Sequence, residues 1–280
     1  MIAKKGIICG PWVGEFGWEL FSWQAYCRAV ARRYDTVVVI SRPGNRYLYS
    51  DFCDHYIPYS PPQGIADSHL HSAVNSFDMQ EFLKATMPIE TLQENSWSWM
   101  QPSKIGNPPY DHWRAPVTVA GFGDVVPEYR LYRGTVPDVN CQVVFHARNR
   151  QIRKNDNWSA GRWTDLQKQI NDLGISTASV GTKLESSHVP GTIDFREKPL
   201  EEVCGLLRRA SVIVGPSSGP MHLAALSGCP QVVWTGNPKQ NYSRYKYTWN
   251  PFCTDVEIIA SDLPTSQDVI SRILKIKKSR

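Results

Sequence analysis

The segment Val212–Gly236, VIVGPSSGPMHLAALSGCPQVVWTG, holds the residues best suited to bind an anion. The apolar run Val212–Val214 predicts a buried strand, and the small residues of Gly215–Gly219 predict a tight turn. Pro220 suits the first turn of a helix that continues through His222. The N–H groups at the start of a helix, together with the positive end of its dipole, favour an anion such as a diphosphate. The pattern therefore predicts an anion site, although an ordinary strand–turn–helix crossover would look the same.

Residues 217–236 of this segment resemble a longer signature, (D/S)-S-G-P-x-H-L-A-A-x-x-G-x-P-x-V-x-x-x-G. That signature belongs to the heptosyltransferase-like (ADP-heptose:lipopolysaccharide, family 9) glycosyltransferases. The resemblance implies an α/β chain with the GT-B fold, in which two Rossmann-like, doubly wound domains face a central crevice. It also implies that the turn holds the diphosphate and sugar of a nucleotide-sugar donor, through Ser217, Ser218, Gly219, Met221 and His222. The family usually has Asp where this chain has Ser217, so the resemblance does not specify heptose as the sugar.

A basic loop follows the first strand of the C-terminal half, in VFHARNRQIRKNDNWSAGRW, residues 144–163. Related enzymes place a basic residue here against the donor phosphates, and we assign that role to Arg148 and Lys154. A guanidinium offers a fork of donors that fits phosphate oxygens. The alternative is a basic loop that only faces solvent.

Two further segments of the C-terminal half border the predicted donor. The resemblance places the loop with Gly181, Thr182 and Glu185 next to the nucleoside, with Glu185 available to the ribose hydroxyls. The aromatic stretch Tyr242–Trp249 could form a wall of the same site, or could be loop packing.

The N-terminal half opens with a glycine-containing loop, GPWVGEFGWEL, at Gly10–Leu20. Its Gly14 and Glu15 match the family's G-(D/E) pair, which makes Glu15 the candidate general base, and Gly14 and Gly17 would shape the loop around the ligand. A general base must lie within hydrogen-bond reach of the acceptor hydroxyl. A second carboxylate, Glu19, lies nearby, and both glutamates could instead only favour the start of a helix. The spacing is not G-x-G-x-x-G, which argues against a dinucleotide site.

The order of predicted elements divides the chain into residues 1–137, on the acceptor side, and residues 138–280, on the donor side. Strand–helix alternation predicts parallel sheets in both parts. We expect a helix over Trp18–Arg33, a helix over Ile89–Met100, a loop over Ser60–Asn75 and irregular chain over Gln101–Trp113. The closing helix, from residue 266 to 277, could pack back on the first domain.

Composition is that of a globular protein of 280 residues, 41% hydrophobic and 20% charged, with a net charge of +5. No apolar run approaches the ~20 residues that span a bilayer. Seven cysteines without a C-x-x-C pair, and no secretion signal, favour a cytoplasmic location. A position peripheral to the inner membrane, or a phage origin within a host cytoplasm, stays open. No metal-ligand spacing is present, and the oligomeric state is not set by the sequence.

Together these features predict an enzyme, a metal-independent and inverting glycosyltransferase of the hexosyl- or pentosyl-transferring type. We expect no bound cofactor, with a UDP- or ADP-type nucleotide sugar as co-substrate and a glycan or lipopolysaccharide-type sugar as acceptor. One alternative is a phage-type DNA glycosyltransferase acting on a hydroxylated base, because the chain is basic and rich in tryptophan. Another is a non-catalytic protein that binds sugar nucleotides.

Overall fold

The computed structural model describes residues 4–60, 78–105, 115–151, 154 and 157–278. The described chain forms two compact units, unit 1 up to residue 129 and unit 2 from residue 130. The sequence placed this boundary a few residues later, after residue 137. The difference arises because the intervening segment is bound to unit 2. Tyr132 N–H donates to the carbonyl of Leu226 at 2.8 Å, and Thr135 N–H donates to that of Glu201 at 3.2 Å.

Unit 1 is built on a four-stranded parallel sheet with the strand order β3-β2-β1-β4. Its strands are β1 (Lys4–Cys9), β2 (Thr36–Ser41), β3 (His55–Pro58) and β4 (Asn95–Met100). A small antiparallel pair, β5 (Val117–Val119) and β6 (Gly123–Val125), completes the strands described for this unit. Side chains of β2 are almost fully covered, as expected for a strand of a parallel sheet with both faces packed.

The helices of unit 1 begin with α1, which runs without interruption through three segments. These are an α-helical turn Phe16–Trp18, a π-helical segment Glu19–Trp23 and an α-helical segment Gln24–Ala31. The other α-helices described for this unit are α2 (Met79–Thr86) and α3 (Ile89–Glu94), and short 3-10 helices lie at Arg46–Tyr49 and Pro102–Lys104. Helix α1 therefore starts two residues before the predicted Trp18.

The prediction of one helix over Ile89–Met100 is wrong in its second half, which is strand β4. The sequence NSWSWM alternates with period two, so Trp97 and Trp99 share one face and pack against the apolar cluster around Ile8 and Val38. Gly6 on the neighbouring strand makes room, because a Cβ there would lie 2.5 Å from the ring of Trp97.

Two predicted irregular segments fall largely on residues that the structure does not describe. Of the loop predicted at Ser60–Asn75, residues 61–75 lie outside the described residues, and so do residues 106–113 of the segment Gln101–Trp113.

Unit 2 contains a six-stranded parallel sheet with the strand order β12-β11-β10-β7-β8-β9. Its strands are β7 (Val143–Phe145), β8 (Thr177–Ser179), β9 (Ile193–Asp194), β10 (Val212–Pro216), β11 (Gln231–Trp234) and β12 (Val256–Ile259). Its helices are α4 (Ala160–Asp172), α5 (Leu200–Arg209), α6 (Gly219–Leu226), α7 (Pro238–Ser243) with a π-helical continuation Arg244–Thr248, and α8 (Ser266–Lys278).

The closing helix α8 packs within unit 2, on α4 and the strands β10 to β12. Val269 and Ile273 are buried there in the same apolar cluster as Trp163 and Trp234. This packing answers the open question of where the last helix lies. Among the described residues, no helix combines the length and apolar character that a membrane crossing needs.

Candidate functional site

The predicted anion turn forms at the carboxyl end of β10, where ligands of doubly wound folds bind. Ser218 is the N-cap of α6 with an extended backbone, but its side chain does not cap the helix. Its Oγ is buried and has no hydrogen-bond partner among the described residues. The N–H groups of Met221 and His222 donate to the carbonyl of Ser218 at 3.1 and 3.3 Å.

Those two bonds change which amides can meet an anion. Pro220 has no N–H, and Met221 is fully buried, with its Sδ facing the backbone of Gly215. The N–H of Ser218 faces the oxygen of the Tyr245 hydroxyl. Among the described residues, the amide of Gly219 and the Ser218 hydroxyl are therefore the donors left for an anion at this helix terminus.

Arg148 is joined directly to the turn. Its side chain is almost fully buried, and Nη1 donates to the carbonyl of Ser217 at 3.1 Å. A backbone bridge to Ser186 holds Arg148 beside the loop that follows β8. The guanidinium thus lies at the start of α6. Lys154 is exposed, and its carbonyl accepts from the N–H of Asn157 at 3.0 Å. The described contacts therefore place Arg148, but not the ammonium group of Lys154, at the turn.

His222 is enclosed by aromatic rings. It stacks on Tyr245 with centroids 5.4 Å apart and meets Trp249 edge-on at 4.5 Å. Burial, together with the charge of Arg244, lowers the pKa of His222 to about 3. The imidazole is consequently neutral at pH 7, so it packs α6 against the segment after α7 and adds no positive charge.

That segment contributes a direct contact to the turn. The hydroxyl of Tyr245 donates to Ser217 Oγ at 2.9 Å, and the guanidinium of Arg244 lies over the ring of Trp249 at 5.1 Å. The sequence suggested only that the aromatic stretch could form a wall. The hydrogen bond of Tyr245 could not be found from spacing, because Tyr245 lies in a π-helical turn far along the chain from Ser217.

The loop after β8 is held close to the loop after β7. Gly181 has φ +127°, and a Cβ there would lie 2.5 Å from Ser186 Oγ, so only glycine fits. Thr182 Oγ1 accepts from the N–H of Glu185 at 3.2 Å, and the carbonyl of Glu185 accepts from Asn149 N–H at 2.7 Å. The carboxylate of Glu185 belongs to an exposed residue, which leaves it accessible from solvent.

In unit 1, Glu15 directly precedes α1. It occupies the N-cap position, yet its side chain makes no capping hydrogen bond, and the residue is half-buried. Its carbonyl accepts from the N–H of Glu19 at 3.1 Å. Side-chain capping, the simplest structural role for this carboxylate, is therefore not what Glu15 does.

The three glycines of this loop differ in backbone conformation. Gly10 alone among them has a positive φ, +132°, and a Cβ there would lie 2.3 Å from the carbonyl of Ile40. Gly14 is buried, and Gly17 lies inside the first turn of α1.

Glu19 does not lie beside Glu15 at the surface, as the sequence had suggested, but is fully buried. Its carboxylate accepts from Ser41 Oγ at 2.5 Å, Asn45 Nδ2 at 2.6 Å and the Tyr49 hydroxyl at 2.7 Å. Burial raises the pKa of Glu19, and the positive charge of Arg42 opposes that rise. Glu19 therefore ties α1 to the chain that follows β2.

Within the described ranges, no group of three or more His, Cys, Asp or Glu side chains is placed to hold a metal ion.

Comparison with solved structures identifies the architecture. E. coli ADP-heptose LPS heptosyltransferase II superposes with a TM-score of 0.61 and 13% identity, covering 99% of this chain and 100% of that one. A family 9 glycosyl transferase from Veillonella parvula DSM 2008 gives a TM-score of 0.59 and 12% identity over 99% and 98% of the two chains. E. coli heptosyltransferase WaaC, solved with ADP, gives 0.56 and 12% over 97% and 99%. The chain has the GT-B glycosyltransferase fold.

The predicted fold, and its likeness to heptosyltransferase structures, are thus confirmed. No protein-family model and no curated protein matches the sequence. The GT-B likeness is therefore one of three-dimensional structure at low sequence identity.

Proposed function

We propose that this chain is a glycosyltransferase that moves a sugar from a nucleotide-diphosphate sugar to an acceptor hydroxyl. The observation that carries the proposal is the bond from Arg148 to Ser217, which brings a guanidinium to the start of α6. The GT-B fold supports it, since structures with this fold include an ADP-heptose transferase and a transferase solved with ADP.

Donor binding would use the turn and its neighbours. The amide of Gly219, the Ser218 hydroxyl and the Arg148 guanidinium would hold the diphosphate. These donors would also stabilise the charge that develops as the nucleoside diphosphate leaves. Lys154 would supply a second cation from the same loop. The turn carrying Ser217, Met221 and His222 would keep these groups in position.

Recognition of the nucleoside would fall to the loop after β8. The exposed carboxylate of Glu185 would accept hydrogen bonds from the ribose hydroxyls, next to Gly181 and Thr182. A UDP- or ADP-type donor would fit this description, because both carry the same ribose diphosphate.

The acceptor would meet Glu15, whose carboxylate would remove the proton from the attacking hydroxyl. Attack in a single displacement would invert the anomeric centre. Gly14 and Gly17 would line the loop around Glu15. Neutralisation of the diphosphate by amides and cations lets this mechanism proceed without a metal ion or a bound cofactor. We propose a glycan as the acceptor, and the neighbours reported above give no support to a DNA base.

The test is a screen of nucleotide sugars by thermal shift, followed by a transfer assay with the donors that bind. Ligands that bind the folded state raise its apparent stability. We expect Arg148→Gln to weaken binding of the nucleoside diphosphate by roughly tenfold, since a charge-assisted hydrogen bond is lost. Lys168→Gln, at an exposed position of α4, is the matched control and should bind as the wild type does.

The proposal would be contradicted if no nucleotide sugar binds, or if Arg148→Gln binds the nucleoside diphosphate with full affinity. Binding without turnover, equal in the wild type and in Glu15→Gln, would instead identify a non-catalytic sugar-nucleotide-binding protein.

A further inference from the structure

Arg42 follows directly on β2, at the carboxyl edge of the unit 1 sheet. Strand β2 pairs with β1, and the N–H of Trp12, in the loop after β1, donates to the carbonyl of Ile40 at 3.0 Å. The loops after β1 and β2 are therefore neighbours at the edge where parallel sheets bind ligands. Glu15 lies at the end of the first loop, and Arg42 begins the second.

The backbone of Arg42 is fixed by a hydrogen bond, but two of its guanidinium nitrogens are not. The carbonyl of Arg42 accepts a hydrogen bond from the Tyr56 hydroxyl. By contrast, Nε and Nη2 are buried and have no hydrogen-bond partner among the described residues. Buried charged donors without an acceptor are rare in folded proteins, and they require an explanation.

Glu19 does not provide that explanation. Its positive neighbour is Arg42, whose charge favours the ionised carboxylate. The carboxylate nevertheless takes its hydrogen bonds from Ser41, Asn45 and Tyr49. Glu19 therefore holds the guanidinium near this edge by charge and leaves the Nε–Nη2 side without an acceptor.

The Nε–Nη2 side of a guanidinium is a two-donor fork that matches the two oxygens of a phosphate or carboxylate group. Arg42 as a whole retains part of its exposure to solvent, whereas these two nitrogens are covered. The arginine side chain has several rotatable bonds, so a change of rotamer can turn the fork toward an oxyanion at this edge.

We propose that Arg42 binds an oxyanion, a phosphate or carboxylate group, through Nε and Nη2 at the carboxyl edge of the unit 1 sheet. If the proposed glycosyl transfer is correct, the group belongs to the acceptor, whose hydroxyl meets Glu15 on the adjoining loop. The anion site itself stands on the unpartnered guanidinium and does not depend on that transfer.

The test measures binding of inorganic phosphate and of acetate to the full chain by calorimetry at low ionic strength. The measurements use an Arg148→Gln background, so that the turn of unit 2 does not compete for the anion. We expect Arg42→Gln to lower the affinity for the anion by at least about tenfold, because both donors of the fork are lost. Arg46→Gln removes an exposed arginine four residues away and should change the affinity less than twofold.

Binding of phosphate alone that depends on Arg42 would support the site and assign a phosphate-bearing ligand. Binding of acetate as well would support it and extend the class to carboxylates. Absence of both anions, equal affinity in Arg42→Gln, or an equal loss in Arg46→Gln would overturn the proposal.

Arg42→Lys keeps the positive charge beside Glu19 and covers the case in which Arg42→Gln does not fold. It should bind the anion several-fold more weakly, since an ammonium group lacks the planar fork. Wild-type affinity in Arg42→Lys would refute the two-nitrogen geometry. With Arg148 present, ADP and UDP affinities should be unchanged by Arg42→Gln. Should neither nucleotide bind while phosphate still depends on Arg42, the proposed transfer fails and the anion site stands.

Discussion

The hydroxyl of Tyr245 donates a 2.9 Å hydrogen bond to Ser217 Oγ, in the turn that precedes α6. Arg148 donates to the carbonyl of the same serine at 3.1 Å. Ser217 is thus held from two sides, through its side chain by one element and through its backbone by another. The signature that this segment resembles usually has Asp at this position, and the charge of an aspartate would change both contacts. In this chain the two hydrogen bonds of Ser217 hold the turn in its conformation.

Removal of the Tyr245 hydroxyl should therefore loosen the donor site without unfolding unit 2. We expect Tyr245→Phe to lose about 1 kcal/mol of interaction, which is roughly fivefold in affinity for a nucleoside diphosphate. Calorimetry with ADP and UDP measures the change. Tyr242→Phe is the control, because Tyr242 is 52% exposed and keeps its ring in the variant. Unchanged affinity in Tyr245→Phe would show that Ser217 needs no support from the phenol.

Gly181 should be the least replaceable glycine of the loop after β8. Gly181→Ala meets both an unfavourable φ of +127° and Ser186 Oγ at 2.5 Å, so we expect a loss of about 2–4 kcal/mol in the free energy of unfolding. Gly174→Ala provides the comparison, since Gly174 has φ +69° but no heavy atom within 4 Å of its Cβ. Gly174→Ala should lower the free energy of unfolding by about 1 kcal/mol. Urea unfolding measures both, and equal losses would mean that contact with Ser186 does not matter.

Sequence patterns predicted most of unit 2 because its elements are local and regular. The strand predicted at Val212–Val214 is the start of β10, and the helix predicted to have Pro220 in its first turn is α6, which begins at Gly219. Unit 1 was harder. The run Asn95–Met100 is short, and its two tryptophans suit a helix or a strand until β1 is present to pair with it.

The site was predictable where residues are close in sequence and unpredictable where the fold brings distant ones together. Small residues and a proline define the turn before α6 on their own. The environment of Glu19 depends on Ser41, at the end of β2, and on Asn45 and Tyr49, which follow that strand. No spacing rule connects a helix with a distant loop, so the two glutamates of the first loop looked alike in the sequence.

Two buried histidines should make the protein less stable in mild acid. Burial lowers the pKa of His146 to about 4 and that of His222 to about 3, below the ordinary value of 6.5. Between these values the unfolded chain binds protons that the folded chain does not, so stability falls as the pH is lowered from about 6.5 toward 4. Each histidine lowers the free energy of unfolding by on the order of 3 kcal/mol over this range, because one pKa unit corresponds to about 1.4 kcal/mol.

Chemical unfolding at a series of pH values measures the slope of the free energy of unfolding against pH. His222→Phe keeps an aromatic ring against Tyr245 and Trp249 and removes one titrating group, so its slope should be about half that of the wild type. A slope identical to that of the wild type would mean that His222 is already protonated in the folded protein.

Glu15 and Glu19 should differ in their effect on stability when each is changed to glutamine. Glu19 is buried and accepts three hydrogen bonds, and a glutamine amide can accept through only one oxygen while it brings two new donors. We expect Glu19→Gln to lower the free energy of unfolding by about 2–4 kcal/mol, since buried donors lose their acceptor. Glu15→Gln should change stability by no more than about 0.5 kcal/mol, because the half-buried side chain caps no helix.

Activity should show the opposite order. Glu15→Gln should abolish most of the transfer while donor affinity stays at the wild-type value, since the lost group acts on the acceptor proton and not on the diphosphate. Unfolding curves and initial rates on the same protein samples separate the two effects. Full turnover in a well-folded Glu15→Gln would remove Glu15 from the role of base, and a stable Glu19→Gln would mean that the three hydrogen bonds do not hold α1 in place.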